Sequence, residues 1–159
     1  MKEKNGEHPF GDAGQLILAG LFLLVWVVDS FFLRKSTFLS PYIPLYFRLA
    51  CLTVALCTAF YLVRSGHAVA SDGKKPEGVV ATGAFRYVRH PLYLGCLLTY
   101  FGLAASTFSL YSFGLLAVAF AFYNFIAGYE EQLLEEKFGK EYLNYKKKTG
   151  RWLPRTYRQ

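Results

Sequence analysis

Apolar residues in this chain come in long blocks rather than at amphipathic spacing. From Gly14 to Leu33 the only ionisable residue is Asp29. About twenty helical residues at 1.5 Å each cross a hydrocarbon core of about 30 Å, so this block predicts a spanning helix. It exceeds the apolar stretch of a signal peptide and no small-x-small cleavage pattern follows it, so it is expected to stay in the protein. A second block runs from about Ile43 to Val63 after the turn Ser40-Pro41-Tyr42, carries Arg48, and closes on Arg64-Ser65-Gly66. The third and fourth, Leu92 to Thr107 and Leu110 to Ala127, are separated by so little chain that they predict a tight antiparallel hairpin. After Gly128, Leu134, Phe138, Tyr142 and Tyr145 recur at helical spacing among Lys and Glu, which predicts an amphipathic helix lying at the interface. The fold class expected is all-α: a polytopic membrane protein with about four spans and a cytoplasmic C-terminal amphipathic helix. Residues 1–66 form a two-span N-terminal region, and residues 67–159 hold the hairpin and the C-terminal helix.

Composition agrees with that pattern. Of the 159 residues 53% are hydrophobic and 18% charged, too apolar for an ordinary soluble domain. The net charge of +7 does not argue for nucleic acid, because most Lys and Arg flank apolar blocks. Lys2 and Lys4 precede the first block. Arg64, Lys74, Lys75, Arg86 and Arg89 lie between the second and third, and Lys137, Lys140, Lys146, Lys147, Lys148, Arg151, Arg155 and Arg158 fill the tail. The turn between the first two blocks has only Arg34 and Lys35. Positive residues accumulate on the cytoplasmic side, so both termini and the long middle segment are expected to face the cytoplasm. Cys51, Cys57 and Cys96 fall inside apolar blocks and read as buried reduced thiols. No metal ligand set is expected. Asp29 and Arg48 lie at similar depth in neighbouring spans and read as a structural ion pair.

Candidate chemistry gathers at one end of the hairpin. Arg89-His90-Pro91 opens the third span, with Pro91 suited to a first helical position. Glu130 and Glu131 follow the fourth. A hairpin brings His90, Tyr93 and the two carboxylates together at the membrane boundary, among Phe85, Tyr87 and Tyr129. Such a convergence reads either as a site for a cationic or polar ligand or as a structural ion-pair cluster.

The run Thr82-Gly83-Ala84-Phe85-Arg86-Tyr87-Val88-Arg89-His90-Pro91-Leu92-Tyr93-Leu94-Gly95 is followed by Glu130-Glu131-x-x-Leu134-x-x-x-Phe138-Gly139-x-x-Tyr142-x-x-Tyr145 and then Arg151-x-x-Pro154. Together these motifs resemble the isoprenylcysteine carboxyl methyltransferase family and its phospholipid methyltransferase relatives, over roughly Ala70 to Pro154. The resemblance implies an integral-membrane enzyme that takes S-adenosylmethionine from the cytosol and methylates a small lipophilic or lipidated acceptor arriving through the bilayer. It implies cofactor contacts at Glu77, Gly78, Val79 and Val80 in the loop, at Phe85, at Arg89, His90, Pro91, Leu92 and Tyr93, and at Glu130. The sulfonium suits aromatic faces and the ribose hydroxyls suit a carboxylate. Methyl transfer to a neutral leaving group requires no dedicated acid. Prenylcysteine enzymes place an Arg four residues before the first Glu, where this chain has Ile126. A neutral acceptor, a thiol or amine on an apolar body, is therefore expected, with Arg89 left for the cofactor's carboxylate and Arg151 anchoring the tail. Two other readings stay open: a membrane reductase using a reduced nicotinamide cofactor, and a small membrane protein without enzymatic activity.

Overall fold

The computed structural model describes residues 11–70 and 78–155. Five α-helices account for most of them: α1 (Gly11–Val27), α2 (Leu45–Ala70), α3 (Pro91–Thr107), α4 (Leu110–Phe138) and α5 (Lys140–Lys148). Among the described residues there is no strand, only an isolated bridge between Val88 and Gly150. The protein is an all-α polytopic membrane protein. Ala13–Leu33, Leu45–His67 and Leu110–Phe138 are each long and apolar enough to cross a bilayer. The expected third span is shorter: α3 has 17 residues, about 26 Å of helix.

The closest helix pair is α2 with α3, and its cause is small side chains. Ala55 and Ala59 on α2 oppose Gly102 and Gly95 on α3, so the backbones approach without a hydrophobic driving force. A Cβ built on Gly95 would lie 2.7 Å from Val63 Cγ2 and 3.3 Å from the Ala59 carbonyl oxygen. On the other side of α3, Leu97, Tyr100 and Ala104 join Leu18 and Phe22 of α1 and Ala119 and Tyr123 of α4 in the main core. Phe22 stacks on Tyr100 at 4.4 Å, and Trp26 Nε1 donates to the Leu103 carbonyl at 2.8 Å. Leu16, Ile17, Leu24, Val54 and Phe60 remain exposed, as lipid-facing positions do.

Three sequence expectations are corrected. The fourth span does not stop near Gly128: α4 runs on to Phe138, and the amphipathic segment is split at Gly139, whose φ of +54° ends the helix before α5. Gly128 is not a breaker: the helix runs through it, with Arg151 Nη2 in ordinary contact, 4.0 Å from where its Cβ would be. The second helix likewise runs through Arg64-Ser65-Gly66 to Ala70, because Gly66 lets Leu92 Cδ2 come within 3.1 Å of its Cβ position. Asp29 and Arg48 do not pair. The first span ends in a wider turn, Val28–Leu33, that buries Asp29; its carboxylate accepts from the Ser36 amide at 3.1 Å, the Ser36 hydroxyl, and the Ser109 hydroxyl at 2.7 Å. Arg48 reaches instead to the Ser40 hydroxyl and, at 3.1 Å, to the Ser106 carbonyl in the last turn of α3.

Candidate functional site

The end of the bundle where α3 begins and α4 emerges is built around two adjacent carboxylates that diverge. Neighbouring residues on a helix point about 100° apart, so Glu130 and Glu131 cannot share a surrounding. Glu131 turns inward, 1% exposed, and is the hub of an ion-pair cluster. Arg89 Nε donates to its Oε1 at 3.0 Å, Arg151 Nε to Oε1 at 2.8 Å and Arg151 Nη2 to Oε2 at 2.9 Å. His90 Nε2 lies 3.3 Å from the same Oε1, and Lys146 Nζ 3.4 Å from Oε2. A carboxylate surrounded this way has its lone pairs filled, which makes its burial tolerable.

The hub fastens the C-terminal segment over the helix ends. Arg89 Nη1 donates to the carbonyls of Lys146 at 3.1 Å and Thr149 at 2.8 Å, and the Arg89 amide to the Gly150 carbonyl at 2.9 Å. Arg151 Nη1 and Trp152 Nε1 both donate to Asn124 Oδ1, at 3.0 and 3.2 Å, which gives the polar residue of the fourth span its purpose. The Glu131 hydrogen bond and charge raise the Arg151 pKa above its ordinary value. From α5, Tyr142 is 2% exposed and Tyr145 donates its hydroxyl to the Phe85 carbonyl at 2.6 Å. Burial pushes both phenols up, with the Glu131 charge acting in the same direction, and Tyr145 reaches about 12.

Glu130 faces the other way, its side chain 16% exposed. The Tyr93 hydroxyl donates to its Oε1, and His90 Nδ1 lies 3.6 Å from its Oε2. His90 and Tyr93 stack with centroids 5.6 Å apart and planes within 3°. Trp152 tilts against His90 at 6.1 Å, and Tyr123 lies 5.2 Å from Tyr93. His90 thus spans the two carboxylates, one structural and one facing a wall of flat rings.

Of the residues singled out in the sequence, His90, Tyr93 and Glu130 are in mutual contact. Arg89 joins them through Glu131, with its donors directed to that carboxylate and to the tail carbonyls. Pro91 takes the first position of α3, and Leu92 and Pro91 pack against Gly66 of α2. Val79 donates its amide to Glu141 Oε1 at 2.8 Å, and Gly78 and Val80 lie beside it, half-buried. Phe85 sits in the short helical turn Gly83–Arg86, which is tied to α2 by the Ala84 amide donating to Ser65 Oγ at 2.9 Å. Glu77 lies outside the described residues, as do the loop lysines Lys74 and Lys75 and both chain ends. Glu131 was expected in the convergence and Arg151 as the anchor of the tail, but not as hub and partner of one buried cluster; Trp152, Asn124 and Glu141 were not foreseen as parts of this arrangement. Among the described residues no group of three His, Cys, Asp or Glu side chains is placed to hold a metal ion.

Residues 45–141 match the model of the phospholipid methyltransferase family, more than half of the chain and most of the structure just described. The chain belongs to that family. A family of membrane methyltransferases fits three apolar spans and a polar cluster at the bundle end. The chain is also similar to the cobalt-zinc-cadmium resistance protein CzcN of Cupriavidus metallidurans, at 35% identity over 113 residues, which is 70% of this chain and 50% of that protein. It spans about half the length of this curated relative.

Proposed function

We propose that this phospholipid methyltransferase family member transfers a methyl group from S-adenosylmethionine to a neutral nucleophile on a small lipophilic molecule. The observation that carries the reading is the cluster of Glu130, His90 and Tyr93 at the end of the α3–α4 hairpin. These residues fit the cofactor. A half-buried carboxylate suits ribose hydroxyl donors, and parallel rings beside it suit a sulfonium. Gly78, Val79 and Val80 would enclose it with backbone, Phe85 would flank it, and Pro91 and Leu92 would fix the helix start that presents His90 and Tyr93. The bound cofactor supplies an electrophilic methyl group whose departure leaves a neutral thioether.

The chain's own part is alignment and exclusion of water. The chain's residues would contribute positioning, in a water-poor pocket, for methyl transfer in line with the bound cofactor's methyl–sulfur bond. The proton of a thiol or amine acceptor would pass to solvent water. The acceptor's neutrality is supported by the arginines: Arg89 and Arg151 both direct donors to Glu131, and Ile126, where prenylcysteine enzymes carry an Arg, is 1% exposed within the packing. Arg89 is then a positioning residue that holds His90's surroundings through Glu131. The excess of Lys and Arg in the middle segment and tail supports a cytoplasmic site, on the side where the cofactor is made available. Metal resistance belongs to the relative's name and is not carried over.

Calorimetry of the detergent-purified chain with S-adenosylhomocysteine tests the reading. Binding is expected, with loss in Glu130→Ala and His90→Ala. Binding of a reduced nicotinamide cofactor in its place, or wild-type affinity in both variants, would overturn it. Turnover assays with labelled cofactor should then show transfer to lipophilic thiols or amines. Efficient ester formation on a prenylcysteine with no turnover of neutral acceptors would refute the acceptor class.

A further inference from the structure

The opposite end of the bundle holds a second polar site. Where the first and second spans meet, a cavity of about 280 Å³ is lined by Ser30, Arg34, Thr37, Ser40, Arg48 and Thr107. Phe31 and Pro41 supply its apolar wall. Two arginines and four hydroxyl-bearing residues line it and no acidic residue does. The nearest candidate for neutralising them, Asp29, is instead satisfied by Ser36 and Ser109. Among the described residues neither Arg34 nor Arg48 forms an ion pair.

Arg48 shows what the cavity lacks. Its Nη1 donates to Ser40 Oγ and to the Ser106 carbonyl, which fixes the guanidinium plane, yet its Nε is buried with no hydrogen-bond partner. A buried charged donor left unmatched is costly, so an acceptor oxygen brought to Arg48 would be favoured. Arg34 also lines the cavity, in the left-handed conformation, φ +51°, that closes the turn after the first span. Planar guanidiniums with hydroxyls around them form the donor set that matches a tetrahedral oxyanion. The site lies where the apolar spans end, the depth of lipid headgroups.

We propose that this pocket binds a phosphate group at the membrane boundary of the leaflet opposite the methyltransferase cluster, with Arg34 and Arg48 as its paired cations and Ser40 and Thr107 among its hydroxyl donors. A phospholipid headgroup is the source that matches the depth, with the apolar wall at Phe31 and Pro41 beside it. The site requires neither cofactor nor acceptor, so it stands or falls separately from the proposed activity.

The test uses the full chain in neutral detergent, with native mass spectrometry and thermal stability read against a short-chain phosphatidylglycerol, the matching phosphatidylcholine and inorganic phosphate at constant ionic strength. Phosphatidylglycerol is expected to be retained and to raise the melting temperature. Arg34→Gln and Arg48→Gln should each weaken retention about tenfold, the loss of one charged hydrogen-bond partner. Because Arg48 also ties down the last turn of α3, Arg34→Gln on an exposed turn is the deciding variant. Lys35→Gln, on the same turn but outside the lining, should leave retention unchanged. Equal, arginine-dependent stabilisation by inorganic phosphate would uphold the phosphate site and assign it to a soluble source. No arginine-dependent binding of any of the three, or as large a loss in Lys35→Gln as in Arg34→Gln, would overturn the proposal.

Discussion

Replacing Glu131 by Gln keeps the volume of the side chain and removes its charge. Arg89, with a side chain 7% exposed, then loses its anionic partner and keeps only the Lys146 and Thr149 carbonyls. Arg151, at 28% exposure, loses two hydrogen bonds to a carboxylate, and the cluster holds two guanidiniums and the Lys146 ammonium without the anion between them. Breaking a buried pair from one side costs about 3–5 kcal/mol, and the lower end applies because Arg151 can move toward water while the amide oxygen still accepts one bond. The same change at Glu130 leaves the Tyr93 hydroxyl an acceptor and should cost about 1 kcal/mol or less. Equilibrium unfolding in detergent, followed by circular dichroism, separates the two. The expected pair of outcomes is a large stability loss in Glu131→Gln, and near-wild-type stability with lost S-adenosylhomocysteine binding in Glu130→Gln. A Glu131→Gln protein within about 1 kcal/mol of wild type would show that the cluster is not the structural hub described here.

Three further changes probe other joints. Gly95→Ala puts a Cβ 2.7 Å from Val63 Cγ2 and should cost about 1–3 kcal/mol in the same unfolding assay, with Val63→Ala restoring part of it. Gly150→Ala places a Cβ 1.9 Å from the Leu153 carbonyl oxygen, so the tail must shift; proteolysis after Arg151 should speed up and ligand binding should weaken. Tyr145, with a pKa raised from 10.0 to about 12 in the folded state, makes the unfolded chain the stronger acid. Stability should therefore be intact below pH 10 and fall between 10 and about 12, and Tyr145→Phe should remove that part of the dependence in a phenolate absorbance titration paired with unfolding.

The apolar blocks, the Pro91 start and the short connection at Ser109 were legible because each follows from local chemistry: desolvated backbone, a missing N–H, and a side chain that accepts the Ser112 amide at 3.2 Å. The hairpin, once read, forced His90, Tyr93 and the Glu pair to one end. Which carboxylate turned inward was not legible, since adjacent helical residues carry no periodic signal and the decision rests on Arg151, twenty residues further on. Gly128 misled for a related reason. A glycine in a helix reads as a break from propensity alone, whereas here α4 continues through it to Phe138. The pairing of Asp29 with Arg48 failed because depth along neighbouring helices says nothing of the local hydroxyls, and Ser36 and Ser109 reach Asp29 first.

The inward turn of Glu131 bears on specificity as well as on stability. A fixed cation near the His90 cluster would serve a carboxylate acceptor, and Arg89 and Arg151 are the cations whose positions are set there by the fold. Both are oriented by Glu131, and Arg151 is held a second time by Asn124, so recruiting either for a substrate would mean dismantling the anchor of the tail. The cost of that, about 3–5 kcal/mol for an uncompensated buried charge, exceeds the 1.5–3 kcal/mol or so that one charge-assisted hydrogen bond to substrate returns. On the proposed reading, the same carboxylate that closes the C-terminal segment over the helix ends therefore disfavours an anionic acceptor. On the same proposal the substrate would be selected by apolar shape from the bilayer side, with the fixed charges of Arg89 and Arg151 given to Glu131.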